Sequence, residues 1–291
     1  MERIRNTFYL RRLWSMATVV RREPRLGFDH RHTLPPAHTK SCGGKRMRVS
    51  VEVCVTSVDE ALAAERAGVD SVEICSWLAC GGLTPSYGLV NTLKERLKLT
   101  MRVLVRPTPG GFFYSDLERQ AILRDCMLIG INGMSLVAGG LDQNDDPERI
   151  LLECILLAAP DSEITFHRAI DRTRDMEGAM NTCLQLGVHR VLTSGGETLA
   201  MDGLKSLKRL VEQANGKLVI AAAGGIDPKN VVEIVEKTGI REVHFSAQRP
   251  RMVKVKGAAM SAANAGVNFE TEPDVAKIEG VLNALVKAGL R

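Results

Sequence analysis

Two short stretches of this chain repeat one frame, Val51–Glu52–Val53–Cys54 and Val72–Glu73–Ile74–Cys75. In each, a carboxylate stands two residues before a thiol, with aliphatic residues between. Side chains of extended chain alternate faces. Glu52 and Cys54 therefore share a face with Ser50 and Thr56, opposite Val51, Val53 and Val55. Glu73 and Cys75 do the same opposite Val72 and Ile74. Further titratable groups close other apolar runs: Arg106, the pair His167–Arg168, and His244 with Ser246 in its facing set. Glu52 or Glu73 as general base with His167 as acid would make a proton-transfer pair. Arg106 and Arg168 offer planar forks suited to a carboxylate or phosphate, so the substrate would be a small anionic metabolite. Neighbouring strands lie about 4.8 Å apart. At that spacing Cys54 and Cys75 could bracket a soft cation such as Cu(I). A plainer reading stays open. Free cysteine is commonly a small buried hydrophobe, and inward glutamates facing Arg106, His167 and Arg168 could be an ion-pair network that only fills a core.

The elements that must carry these groups recur in order. Short apolar strands are expected at Ser50–Val55, Ser71–Cys75, Met101–Arg106, Gly133–Ala138, Ile164–His167, Arg190–Thr193, Leu218–Ala222 and Val243–Ser246. Amphipathic helices follow at Val58–Ala67, Tyr87–Leu97, Leu117–Ile129, Pro147–Ala158, Met176–Leu186, Leu199–Ala214, Pro228–Lys237 and Val275–Ala288. Asp146–Pro147 and Asp227–Pro228 read as acidic caps before a helix-starting proline, and Gly68, Gly187 and Gly239 as helix stops. Eight βα units match a (β/α)₈ TIM barrel spanning residues 49–291; doubly wound sheets usually have fewer. Barrel active sites form at the carboxyl ends of the strands, where these polar residues fall. Gly-rich turns after strands six and seven, Ser194–Gly195–Gly196 and Gly224–Gly225–Ile226–Asp227–Pro228, suggest an anion site from Ser194, Gly195, Gly224, Gly225 and Ser246.

Composition sets bounds. The chain has 291 residues, 45% of them hydrophobic, enough for a large core. No apolar run reaches the roughly 18–20 residues of a membrane span. Seven cysteines without a regular framework suit a reducing compartment. No lysine ends a strand, which argues against a Schiff-base aldolase, and no HExxH or G-x-S-x-G motif is present. Residues 1–48 hold ten arginines, two lysines and three acidic residues, a net +9 of the chain's +5. The remainder is thus mildly acidic, with no sign of nucleic-acid binding. The leader has no convincing secondary structure beyond Phe8–Val20 and is expected to be an organelle transit segment, a disordered tail or a translated upstream segment; Met16 and Met47 are alternative starts.

The ordered motifs Val51–Glu52–Val53–Cys54–Val55, Glu73–Ile74–Cys75–Ser76, Gly81–Gly82–Leu83–Thr84–Pro85–Ser86, Val105–Arg106–Pro107, Tyr114–Ser115–Asp116, Thr165–Phe166–His167–Arg168–Ala169, Val191–Leu192–Thr193–Ser194–Gly195 and Val243–His244–Phe245–Ser246–Ala247 resemble the CutC copper-homeostasis family. The resemblance runs from about Val51 onward. It implies a (β/α)₈ barrel, a cytoplasmic protein with a role in copper tolerance, and a homo-oligomer; the Arg-rich leader leaves mitochondrial import as the alternative. It also implies Cu(I) at Cys54 and Cys75 and a polar pocket of Glu52, Glu73, Arg106, His167, Arg168 and His244. The turn Ala222–Ala223–Gly224–Gly225 and the segment Arg249–Asn268 follow the family only loosely.

Overall fold

The computed structural model describes residues 48–251 and 271–291. The basic leader, apart from Arg48, and most of the Arg249–Asn268 segment lie outside the described residues. Contacts divide the chain into residues 1–46 and 47–291, and the second unit holds everything below.

Eight parallel strands close on themselves in chain order: β1 Ser50–Val55, β2 Ser71–Ile74, β3 Thr100–Leu104, β4 Ser135–Ala138, β5 Ile164–Phe166, β6 Arg190–Thr193, β7 Val219–Ala223 and β8 Glu242–Ser246. Between them run α1 Val58–Ala67, α2 Tyr87–Arg96, α3 Asp116–Gly130, α4 Arg149–Ala158, α5 Met176–Leu186, α6 Leu204–Ala214 and α7 Val231–Thr238; α8 Val275–Lys287 ends the chain. This is the (β/α)₈ barrel. A short antiparallel pair, β9 Gln248–Pro250 with β10 Thr271–Pro273, is added between β8 and α8.

The helices form where local chemistry starts and stops them. Ser57 caps α1 by accepting from the Glu60 N–H, and Ser115 and Glu118 make a reciprocal capping box on α3. Gly68 and Gly187 end α1 and α5 in the left-handed region, at φ of 89° and 76°. Two helices begin later than their prolines suggest. Pro147 pairs with Leu141 in a β-bridge, and α4 begins only after Glu148. Asp227 turns back on itself, its side chain accepting from the Lys229 and Asn230 N–H groups, so α7 starts after Asn230.

The alternation in the strands sorts the side chains as a barrel requires. Val51, Val53 and Val55, with Val72 and Ile74, are buried under the helices. The opposite set points into the lumen, which is unusually polar for a barrel interior.

Candidate functional site

The lumen is built in two storeys. Lower down, Glu52 is fully buried and every lone pair in reach is used. Its Oε1 accepts from Arg190 at 2.6 Å and from His244 Nδ1 at 2.8 Å. Its Oε2 accepts from Arg102 at 2.7 Å and from Ser71 at 3.1 Å. Glu242 also pairs with Arg190 at 2.7 Å, and Glu163 with Arg102 at 2.9 Å. Burial works to raise the Glu52 pKa, but Arg190, Arg102 and His244 outweigh it and hold the carboxyl well below its ordinary value. The network thus favours the carboxylate form of Glu52.

This corrects one expectation. The guanidiniums facing the glutamates are Arg102 and Arg190, not Arg106 and Arg168. β3 stops at Leu104 and β5 at Phe166, so Arg106 and Arg168 stand beyond the strand ends and turn into the loops. Arg106 donates to the carbonyls of Cys80, Gly82 and Gly110. Arg168 donates to Asp171 at 2.8 Å and to Ser194 Oγ at 2.7 Å.

His244 lies level with Glu52 on β8, and one step toward the carboxyl end, two residues beyond Glu52 on β1, Cys54 Sγ lies 2.9 Å from His244 Nε2. Glu52 holds the other ring nitrogen, so Nδ1 keeps its proton and Nε2 faces the thiol. Cys54, Glu73 and His244 bring one donor atom each within 4.8 Å of one another. The Glu73 Oε2 is 3.9 Å from His244 Nδ1 and has no hydrogen-bond partner. Burial, partly offset by His244, raises the Glu73 pKa, with the Glu52 charge adding to the rise. Cys75 is fully buried behind Cys54, packed with it against Leu104 and Val137. A hydrogen bond between the thiols, then burial, pushes Cys54 well above the ordinary thiol range. Burial disfavours the His244 imidazolium, but Cys54, Glu73 and Glu52 outweigh it and hold that pKa well above its ordinary value.

Gly82 makes the roof over the thiols possible. Its φ is +88°, and a Cβ there would stand 2.8 Å from a Leu104 methyl and 3.6 Å from the Cys75 Cβ. Only glycine lets the loop after β2 come down so close.

Above this floor opens a cavity of about 840 Å³, lined by Cys54, Glu73 and His244 below and by Arg106, His167 and Arg168 toward the mouth. His167 is buried, and its imidazole rests on Phe112 with ring centroids 4.9 Å apart. Burial, with the Arg106 charge adding to it, brings its pKa down to about 3, so the ring is neutral.

Ser194, Gly195, Gly224, Gly225 and Ser246 do not line this cavity. The loop after β6 already holds an internal anion: Asp171 accepts from the N–H groups of Ser194 and Gly196 and from Thr193 Oγ1. At the loop after β7, Asp227 occupies the N–H groups before α7. Ser246 is exposed, and its carbonyl accepts from Lys277 at 2.7 Å.

Asp171, Arg102, Arg190 and Glu242 are site or lumen residues that sequence reading missed. Carrying the alternation of β1 into β3 and β6 puts Arg102 and Arg190 inward, opposite Val103 and Val191. Glu242 lies one residue before the expected start of β8. No spacing signal points to Asp171, which reaches its loop from the short 3₁₀ turn Arg168–Arg172.

The CutC family model matches residues 49–249. The chain belongs to the CutC family. It is 37% identical over 246 residues to the human copper homeostasis protein cutC homolog, covering 81% of this chain and 89% of that one. It is 36% identical to the family protein CutC of Bacteroides thetaiotaomicron, covering 80% and 96%. Among solved structures, CutC of Streptococcus agalactiae superposes with a TM-score of 0.65 at 29% identity, covering 68% of this chain and 98% of that one. A KGPDC structure from Streptococcus mutans, with a TM-score of 0.52 at 11% identity over 83% and 99%, shares the fold alone. Among the described residues, no helix is long and apolar enough to cross a membrane.

Proposed function

We propose that this CutC protein binds Cu(I) through the thiols of Cys54 and Cys75, with His244 as a third donor. The observation that carries the reading is the relay Glu52–His244–Cys54, with contacts of 2.8 and 2.9 Å. Metal-binding histidines usually have one nitrogen fixed by a carboxylate so that the other presents its lone pair. Glu52 fixes Nδ1 here, and Nε2, which gives up its proton on loading, faces a thiol. Two sulfurs and an imidazole suit soft Cu(I), whereas a hard Mg²⁺ or Ca²⁺ would need oxygen ligands that Glu73 alone cannot supply. The six cysteines among the described residues are all free, which fits a reducing cytoplasm. Loading would release the Cys54, Cys75 and His244 Nε2 protons. The test is an anaerobic Cu(I) titration against a competing chromogenic chelator. Wild type takes up copper; the Cys54→Ser/Cys75→Ser protein does not, while its melting temperature stays close to wild type. Unchanged stoichiometry in that protein refutes the site.

A second reading is an enzyme acting on a small organic anion. It is favoured by Glu73, whose Oε2 is buried without a partner beside an 840 Å³ cavity. Glu52 is spent on four partners, so Glu73 is the stronger choice for a general base. Neutral His167 would then polarise a substrate oxygen rather than deliver a proton. Turnover that survives Cys54→Ser but not Glu73→Gln would support this reading over copper.

A further inference from the structure

Arg106 is a buried cation without a buried anion. The residue is only 6% exposed. Its Nη1 donates to the Cys80 and Gly82 carbonyls at 2.9 Å each, and its Nη2 to the Gly110 carbonyl at 2.7 Å. All three acceptors are neutral. Among the described residues no carboxylate comes within ion-pair distance of it; its buried Nε–H makes no well-formed hydrogen bond, and the Tyr114 hydroxyl that also interacts with the guanidinium is neutral. A desolvated guanidinium is costly unless an opposite charge sits against it. Arg102 and Arg190 in the same barrel both have such partners.

A second orphan donor stands on the same wall. His167 is 4% exposed and lines the cavity with Arg106. Its Nδ1 accepts the Ala169 N–H at 3.3 Å, so the neutral ring carries its proton on Nε2. That Nε2 is buried and has no partner. Both groups rest on one ring: the Arg106 guanidinium carbon is 5.2 Å from the Phe112 centroid, and the His167 ring 4.9 Å. Glu73, whose Oε2 has no hydrogen-bond partner, lies on the cavity floor 3.9 Å from His244 Nδ1. Arg168 pairs with Asp171 and Asp145 with Arg174, and Arg172 is exposed. The wall thus offers one unmatched positive charge and two unmatched N–H donors.

We propose that Arg106 Nε–H and His167 Nε2–H recognise the carboxylate of a small organic acid. One charge and two donors match a singly charged group with two oxygens. A phosphate dianion would leave a charge and a third oxygen unmet. Leu104, Val137, Leu141 and Leu192 line the same cavity and suit a short carbon skeleton rather than an inorganic anion. The proposal rests on the second reading above only in taking the cavity as a ligand site. It concerns recognition, so it can stand where turnover fails.

The test uses reduced, full-length protein with a copper chelator present, and pyruvate, butyrate, neutral pyruvamide and inorganic phosphate as probes at matched ionic strength. Binding is read by calorimetry and by the ¹⁵N and ¹H resonances of His167 Nε2–H. Pyruvate and butyrate should bind and shift those resonances; pyruvamide and phosphate should not. His167→Phe keeps a ring on Phe112 but removes the donor. It should weaken pyruvate binding roughly 10- to 100-fold, the range for one hydrogen bond to a charged group, without lowering the melting temperature. Arg106→Gln should abolish binding, but it also frees three loop carbonyls, so His167→Phe decides. Absence of carboxylate binding, phosphate binding as tight as pyruvate, or unchanged affinity in His167→Phe each overturns the proposal. Carboxylate binding without turnover would keep this site and remove the enzyme reading. Turnover of some other substrate without carboxylate binding would do the reverse.

Discussion

Glu52 and Glu73 repeat one motif on neighbouring strands, yet neutralising them should have opposite consequences. Glu52→Gln removes the charge facing Arg190, Arg102 and His244, at 2.6, 2.7 and 2.8 Å. Glu242 and Glu163 still pair with the two arginines, so these are not left bare. Breaking one side of a buried ion pair costs about 3–5 kcal/mol. For a domain this size that is a loss of about 6–20 °C in melting temperature, at 2–4 °C per kcal/mol. Glu73→Gln replaces a buried carboxylate whose Oε2 has no partner and whose pKa is already raised. An amide is cheaper to bury than such a charge. Its melting temperature should match or exceed wild type. The assay is thermal unfolding of both variants by calorimetry at neutral pH, in low and high salt. High salt should not rescue Glu52→Gln, because its partners are shielded from solvent. Similar losses in both variants, or a harmless Glu52→Gln, would refute the division of the lumen into a supporting layer and a working one. Its pH signature follows from the depressed Glu52 pKa. The stabilisation is complete above the ordinary glutamate value and is lost as pH falls through the folded value.

His167 should make the barrel acid-sensitive. Its pKa is about 3 folded against 6.5 ordinarily, so between those values only the unfolded chain binds the proton, and stability falls as pH drops through 6.5. From pH 7 to 5 this amounts to about 2 kcal/mol, and urea unfolding of His167→Phe should lack that part of the slope. Copper uptake should strengthen as pH rises, because the raised Cys54 and His244 pKa values mean protons must leave. Competition titrations at pH 6.5 and 8 test this, and affinity flat across that range would count against direct thiolate ligation. Gly82→Ala should destabilise by about 1–3 kcal/mol and weaken Cu(I) binding, since the loop must lift from Leu104 and Cys75. A Gly82→Ala protein with wild-type melting and copper affinity would show that the roof does not need its close approach.

The alternation of β1 and β2 made the inward set legible, because Val51, Val53 and Val55 can only belong under helices. The same rule, carried to Met101–Arg102–Val103–Leu104 and Arg190–Val191–Leu192, turns Arg102 and Arg190 inward. Strand ends were harder. Arg106 and Arg168 look like continuations of apolar runs, but β3 ends at Leu104 and β5 at Phe166; the Arg106 backbone bonds to Thr84 in the loop after β2 rather than to a barrel strand, and past the strand ends alternation no longer says where a side chain goes. Pro147 and Pro228 satisfy local helix rules, but a bridge to Leu141 and the Asp227 turn start α4 and α7 later than those prolines suggest. Asp171 filling the loop after β6 depends on contacts across 22 to 25 residues. No local spacing could announce it.

On the copper reading proposed above, the buried network and the Cys54–Glu73–His244 floor form one device rather than rival accounts of the same residues. A lumen chosen for stability alone would hold branched aliphatics, as barrels usually do, and replacing buried ion pairs by apolar groups is often neutral or better. What an aliphatic layer cannot do is hold an imidazole by one nitrogen. Glu52 is fixed from three sides by Arg102, Arg190 and Ser71, so the fourth contact, to His244 Nδ1, inherits that rigidity. His244 in turn has one free direction, toward Cys54. The arginines therefore act on the thiol through two intermediates, and their cost in desolvation is repaid as orientation two residues further along β1. Weakening the layer should loosen His244 before it unfolds the barrel, and a Glu52→Gln protein still folded at 25 °C should bind Cu(I) less tightly with both cysteines intact.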